Sequence, residues 1–242
     1  MSSPEPWRSP DLALVRDLPE MLHPAIRLAP DSPSLFAQVK PAGDGLWLVP
    51  VLSHEACRRL RLVINSRLAW QRHHPGANHS PNSMHYGGVI VEPTGLGPAI
   101  SALRETIVGL LQPHLFPEFH PIDEDYAFVA TYGQSLDQSL GFHADDSEIT
   151  LNIAISSGHS GGQVLFQGRR CPIHRQEPHR AEEEFAIAIP EGFGLLHAGN
   201  HRHLVTRVYG ERQNLIVWCR SSDERSTASY GDCAHWCGHQ GR

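Results

Sequence analysis

Two hydrophobic periods divide this chain, and they change over near Tyr126. Before it, apolar residues recur every three or four positions. In HEACRRLRLVINSRLAW (54–70), Ala56, Leu60, Val63, Ile64 and Leu68 fall on one face of a helix. Ala99, Leu103, Ile107, Leu110 and Leu111 repeat the pattern. They predict a second amphipathic helix that ends near Pro113, since proline has no backbone N–H and crowds the preceding turn. GLWLVPVLS (45–53) reads as a strand entering a turn, and GVIVEP (88–93) as a short strand. The polar, Pro- and Gly-bearing stretch 71–88 reads as a loop.

From Tyr126 onward, short β-rich runs follow one another: YAFVATY, SEITLNIAIS, GGQVLFQ, EEFAIAIP, GFGLLHA, RHLVTRV and RQNLIVWC. Gly, Pro or charged clusters separate them, which predicts a sandwich or barrel. The pattern therefore predicts a mainly β domain over 45–220, its core about 126–220, with two helices packed on a β-sandwich. Residues 1–44, rich in Pro, Ser and Asp, read as an extended or partly ordered arm. Residues 221–242 read as a polar tail, and no repeat of solenoid length occurs.

Composition narrows the class. A chain of 242 residues, 40% hydrophobic, can bury one sizeable core or at most two small ones. A net charge of -6 argues against general affinity for nucleic acid backbones. No apolar run approaches the roughly 20 residues of a membrane span. The N-terminus lacks the basic start and apolar run of a secretory signal. Five cysteines, an odd number, do not read as a disulfide framework, so a reducing, cytoplasmic setting is expected. The unusual count is 17 histidines, which directs attention to their spacing.

His143 and Asp145 are two residues apart in LGFHADDSEITLNIAIS. In an extended segment such residues point to one face, so an imidazole and a carboxylate can chelate one ion. A third ligand from a distant strand would complete the 2-His-1-carboxylate face of non-haem iron(II) oxygenases, which leaves coordination positions open. The motif by itself is weak, because a chain this rich in His and Asp contains about one such pair by chance. Downstream, GFGLLHAGNHRHLVTRVYGERQNLIVWCR places a His-rich turn before an apolar strand opened by Arg212. A guanidinium fits a carboxylate through two parallel hydrogen bonds. The plain alternative is a surface charge at a strand end.

These segments resemble the 2-oxoglutarate/Fe(II) oxygenases, in the prolyl 4-hydroxylase-like and lysyl hydroxylase-like branch. The resemblance is nearest to the "2-oxoglutarate- and iron-dependent oxygenase domain-containing" proteins. It is carried by GFHADDSEITLNIAIS (141–156), SGGQVLFQGRRC (160–171), LLHAGNHRHLVTRVYGERQNLIVWCRSS (195–222) and HWCGH (235–239), and covers most of 45–240. It implies a double-stranded β-helix (jelly roll, cupin-like) core, with Fe(II), 2-oxoglutarate as co-substrate, dioxygen, and ascorbate as reductant. His143 and Asp145 would be the first two iron ligands. His197, His201 and His203 compete for the third place, and the family pattern selects His203, although this chain is one residue shorter before Arg212 than close relatives. Arg212 would hold the distal carboxylate of 2-oxoglutarate. Tyr132, in TYGQ, matches a tyrosine that contacts the co-substrate. Thr150 and Asn152 share a strand face and could line the same pocket, while Ala154 stands where relatives carry a tyrosine. Trp218, six residues beyond Arg212, could wall the metal chamber or be an ordinary core tryptophan. The branch tilts the unidentified substrate toward a protein lysyl or prolyl side chain.

Other features are discounted. Cys171, His174, Cys233, His235, Cys237 and His239 have zinc-like types, and the tail could close a structural site with Cys171 and His174, but the spacing is not that of a standard finger and an unliganded tail is the favoured expectation. His73, His74, His79 and His85 read as solvated loop residues. The DDSE stretch lacks the repeat and central Gly of a calcium loop. Two other functions remain open: a cupin-like metal-dependent hydrolase or isomerase, and a non-catalytic 2-oxoglutarate-binding or protein-interaction module.

Overall fold

The structure, a computed structural model, describes residues 7, 21–28, 31–74, 84, 86–227, 233 and 237–239. Thirteen strands form its β framework: β1 (Lys40–Gly43), β2 (Leu46–Pro50), β3 (Gly88–Ile90), β4 (Glu124–Tyr132), β5 (Leu140–His143), β6 (Ile149–Ala154), β7 (Ser160–Gly161), β8 (Val164–Arg169), β9 (Glu184–Ile187), β10 (Phe193–Ala198), β11 (His201–Val205), β12 (Val208–Tyr209) and β13 (Arg212–Arg220). β7 and β12 form a separate pair, and the other eleven build a seven-stranded sheet in the order β1-β2-β10-β6-β13-β4-β3 and a four-stranded sheet in the order β5-β11-β8-β9. Both are antiparallel throughout. Between β4 and β13 the chain passes repeatedly from one sheet to the other, with the β8–β9 pair remaining in the smaller sheet, which makes the core a double-stranded β-helix, as the resemblance implied.

The larger sheet is covered on both faces, and its strand period decides what each face receives. Ile149, Leu151 and Ile153 of β6, Leu215, Val217 and Cys219 of β13, and Ala127 and Val129 of β4 all join the cluster under the helices. Burying one such branched side chain is worth roughly 1.5–3 kcal/mol. The alternate residues, Thr150 and Asn152, Arg212 and Asn214, Ala130 and Tyr132, therefore point between the sheets. Leu46, Val164, Phe166 and Leu195 fill one region of that space, and Met84, Ala130, Tyr132, Val205 and Val208 fill another.

The helix His54–His73 begins where predicted. Ser53 Oγ accepts from the Ala56 N–H at 3.1 Å, and Glu55 supplies the acidic first turn that opposes the helix dipole. Its buried face includes Ala56, Leu60, Val63, Ile64 and Leu68. The second helix departs from prediction. It runs as Gly97–Arg104, a π turn at Glu105–Gly109, then Leu110–Leu115 with Pro113 inside. The proline does not end it. The wider π turn lies directly upstream, where the ring would otherwise crowd a carbonyl, and Ser32 Oγ donates to the Leu110 carbonyl at 2.9 Å.

The sequence-based edges of the domain also shift. The boundary at residue 45 cuts the β1–β2 hairpin, and Met21 and His23 are tied by backbone bonds to Ser53 and Val51. Short helices form at Pro24–Arg27, Ser32–Phe36 and Ser222–Thr227. None of these has a periodic apolar signal, and Pro41 is tolerated because β1 is an edge strand. The rest of the expected arm, residues 1–6 and 8–20, lies outside the described residues. Among the described residues, no helix is long and apolar enough to cross a membrane.

Candidate metal centre

β5 and β11 meet so that His143 and His203 are direct cross-strand partners, with ring centroids 4.3 Å apart. Asp145 follows β5 in a loop, and its N–H donates to the Gly199 carbonyl at 2.9 Å. Gly199 is required there: a Cβ would lie 1.9 Å from the Ser147 carbonyl oxygen, so the turn before β11 and the Asp145 loop can touch only through glycine. The result is a three-residue group. One ligand atom each from His143, Asp145 and His203 lie within 4.8 Å of one another. Asp145 Oδ1 is 3.6 Å from His143 Nε2, and Oδ2 is 3.9 Å from His203 Nε2.

Both imidazoles are oriented for ligation. His143 Nδ1 lies 2.8 Å from the Gly141 carbonyl and His203 Nδ1 lies 2.9 Å from the His201 carbonyl. A carbonyl only accepts, so each Nδ1 carries the hydrogen and each Nε2 keeps its lone pair toward Asp145. Thr150 takes a different post from the one expected of it. Its hydroxyl donates to Asp145 Oδ2 at 2.6 Å and bonds Ser147 Oγ at 2.8 Å, and it does not line the chamber. It sits one rung nearer the metal face than Asn152, so it orients the carboxylate instead.

The other two candidate histidines are near but placed differently. His197 Nε2 is 3.8 Å from Asp145 Oδ2 and its Nδ1 faces the Ala198 carbonyl at 2.9 Å. His201 packs on Phe166 with centroids 4.8 Å apart, and neither ring nitrogen has a hydrogen-bond partner among the described residues. A register shift between His201 and His203 separates them along β11. Phe166 touches all three rings, His197, His201 and His203, and is a site residue that sequence reasoning missed. Of the loop histidines, His74 stacks on Trp70 at 4.2 Å, while His79 and His85 lie outside the described residues. Asp146 of the DDSE stretch pairs with Arg220 and Arg225.

Behind the metal face lies a small chamber. Tyr132, Asn152, Arg212 and Trp218 line it together with His143, Asp145 and His203. Arg212 and Tyr132 are cross-strand partners, and the guanidinium carbon is 5.3 Å from the Tyr132 ring centre. Arg212 is only 4% exposed, and no carboxylate pairs with it among the described residues. Burial lowers the Arg212 guanidinium and raises the Tyr132 phenol to about 12. A buried cation without an acid partner is costly to hold and well placed for an incoming anion. Gly162, at φ +69, lies against its stem, where a Cβ would come within 2.7 Å of Arg212 Cδ. The side-chain amides of Asn214 and Asn152 are hydrogen-bonded to each other at 2.6 Å. Trp218 is edge-on to Phe128 at 5.2 Å and does wall the chamber. Met84, another lining residue, carried no sequence signal, because it comes from the polar loop. A separate cleft of about 760 Å³ opens on the outer side of His143 and Asp145, bordered by Phe142, Arg170, Arg175 and Arg202.

Burial pushes His203 down to about 3, lowers His197, and lowers His201 well below the usual imidazole range. Burial pushes the Asp145 carboxyl up, but His203, His197, His143 and the Thr150 hydroxyl outweigh it and hold it below the ordinary carboxylate range. Neutral rings and an ionised carboxylate are the states a metal needs. The unfolded chain binds protons near pH 6.5 that the folded chain refuses. Stability of the metal-free protein is therefore full above about pH 6.5 and is lost as pH falls from there toward about 3. The expected loss reaches about 1.4 kcal/mol per pH unit for each buried histidine. Urea midpoints measured from pH 7.5 to 5 check this, and an unchanged midpoint would mean that the rings are protonated in the fold.

No protein-family model matches the chain. It is 30% identical over 210 residues to the 2-oxoglutarate and iron-dependent oxygenase domain-containing protein ICU11 of Arabidopsis thaliana, covering 85% of this chain and 53% of that one. It is 32% identical over 185 residues to the mouse 2-oxoglutarate and iron-dependent oxygenase domain-containing protein 2, covering 75% and 50%. The chain thus spans about half the length of these relatives. Among solved structures, it resembles a Pseudomonas putida prolyl-4-hydroxylase with a TM-score of 0.51 at 15% identity, covering 80% of this chain and 98% of that one. A Trichoplax adhaerens prolyl hydroxylase, solved with a hypoxia inducible factor peptide fragment, aligns with a TM-score of 0.51 at 16% identity, covering 85% and 94%. At these identities the two structures speak for the fold alone.

Proposed function

Because this chain belongs to the 2-oxoglutarate- and iron-dependent oxygenases, we propose that it is a 2-oxoglutarate-dependent dioxygenase in which His143, Asp145 and His203 hold Fe(II) and Arg212 anchors the co-substrate. The observation that carries this reading is the buried, acid-free Arg212 in the same chamber as the His-Asp-His face. A metal-dependent hydrolase has no need of such a cation. When bound, the iron supplies the oxidative chemistry that couples decarboxylation of 2-oxoglutarate, with release of succinate and carbon dioxide, to hydroxylation of a substrate. The protein's residues bind, orient and exclude water. Thr150 and Ser147 fix the Asp145 carboxylate, and the Gly141 and His201 carbonyls fix the two imidazoles. Arg212 would donate two parallel hydrogen bonds to the distal carboxylate, with Tyr132 beside it and Asn152 and Trp218 on the walls.

The chamber behind the metal face is small, and Met84 is among the side chains that line it. The reading extends to a lysyl or prolyl side chain of a polypeptide as substrate, entering through the cleft beside His143 and Asp145. A procollagen lysine hydroxylase of the rat, 28% identical over 209 residues, 80% of this chain and 26% of that one, supports this direction. Ascorbate as reductant and a cytoplasmic location, the latter on the odd number of cysteines, belong to the same reading.

The test is spectroscopic and chemical. Anaerobic protein given Fe(II) and then 2-oxoglutarate should develop a visible charge-transfer band, and oxygen should then yield succinate. A hydrolase would turn over without 2-oxoglutarate. A non-catalytic module would show the band and no succinate at any co-substrate concentration.

A further inference from the structure

Apart from the His-Asp-His face, the fold assembles a second group of metal-ligand chemistry. Cys171 and His174 lie on the short turn Pro172–His174 that follows β8. Cys233 and Cys237 come from the C-terminal segment, which the sequence left as an unliganded tail. One ligand atom from each of Cys171, His174, Cys233 and Cys237 lies within 4.8 Å of all the others. We propose that these four residues bind one structural Zn(II).

The geometry fits a single tetrahedral ion. Zn–S near 2.3 Å and Zn–N near 2.0–2.1 Å imply sulfur–nitrogen edges of about 3.6 Å in a tetrahedron. His174 Nδ1 is 3.2 Å from Cys171 Sγ and 3.6 Å from Cys237 Sγ. Three thiolates and one imidazole form a closed ligand set with no place for substrate, which marks a structural site and favours zinc over oxygen-preferring ions. Outer contacts are already in place. The Cys171 N–H donates to Cys237 Sγ at 3.4 Å. His174 Nε2, on the far side of the ring, faces Glu177 at 3.9 Å, and the His239 ring stacks on His174 at 4.2 Å and 6°. The Gly238 N–H donates to the Arg169 carbonyl at 3.1 Å, which holds the tail against the end of β8.

The spacing hid this site. Cys-x-x-His is an ordinary knuckle, but its partners lie far along the chain and are joined to it only when β8 and the C-terminal segment come together. The ion would fasten that segment to the turn bearing Pro172 and Arg175, which borders the cleft beside His143. Zinc here would shape the wall of the substrate entrance without touching the reacting atoms.

The test uses the whole chain expressed with zinc. Elemental analysis should find one zinc per chain, retained in His143→Ala and after iron is stripped with a mild chelator. Cys171→Ser and Cys237→Ser should each lower zinc affinity by more than the roughly 10- to 100-fold that loss of an outer-shell partner costs. Cobalt(II) exchanged into the unaltered protein should show the intense visible bands and thiolate charge transfer of a tetrahedral thiolate site, a readout that needs no variant to fold. A mercurial titration should release zinc as three thiolates react. The proposal is overturned if the zinc-supplemented protein carries no zinc, if zinc persists in the Cys171→Ser/Cys237→Ser double variant, or if mass analysis finds a disulfide among the three cysteines.

Discussion

Replacing Arg212 with alanine should weaken 2-oxoglutarate binding by roughly 30- to 1000-fold, equivalent to about 2–4 kcal/mol, and leave iron binding intact. The size follows from burial. At 4% exposure the guanidinium is shielded from water, and among the described residues no carboxylate competes for it. A charge-assisted, two-pronged bond to a dicarboxylate in that setting is stronger than one at the surface. Arg212→Lys keeps the charge but loses the planar fork, so it should fall between the two. Arg212→Met keeps most of the stem. It should bind co-substrate as poorly as the alanine variant, yet match or exceed the parent's thermal midpoint in the metal-free state, because it relieves the desolvation of an unpaired cation. The measurement is anaerobic titration of the charge-transfer band, with succinate formation as its partner. An unchanged half-saturation in Arg212→Ala would remove the arginine from the co-substrate site and with it the assignment of β13.

The largest loss is expected at the metal itself. Asp145→Ala and His203→Ala should abolish stoichiometric iron binding and reduce succinate formation to background, since each removes one of the three proposed protein ligands. Asp145→Ala also removes the one charge that balances the ion. His201→Ala should retain iron, because its ring packs on Phe166 outside the three-residue group. His197→Ala should weaken turnover without removing iron, as its Nε2 approaches only one oxygen of Asp145. Single substitutions with iron analysis separate these cases. An inactive, iron-free His201→Ala beside an active His203→Ala would shift the ligand by two residues along β11.

Much of the site was legible because its signals are local. His143-x-Asp145 and the Gly-x-Arg212 strand are short, and strand alternation alone places Thr150 on one strand face with Asn152, and Arg212 with Trp218. What escaped was decided by contacts between distant segments. Thr150 shares that face with Asn152, yet which of the two meets Asp145 depends on how the loop after β5 folds back, and that is set by Gly199 against Ser147. The family resemblance favoured His203 over His197 and His201, and the pairing of His203 with His143 across β5 and β11, with the register shift within β11, has no local sequence signature. Phe166 looked like any core aromatic until three histidine rings were found packed on it.

By itself, then, the sequence predicted the strand-rich C-terminal half and the long helix, while the family resemblance pointed to His143, Asp145 and His203 as metal ligands and to Arg212 as the anion anchor. The first two follow from periodicity, where backbone geometry dictates which side chains share a face. The tertiary structure decided which histidine faces His143 across the strands, the post of Thr150, the course of the helix through Pro113 and the meeting of Cys171 and His174 with Cys233 and Cys237. Those outcomes depend on strand register and on chain closure over long separations, where many arrangements satisfy the same local pattern and only packing of the whole core selects one.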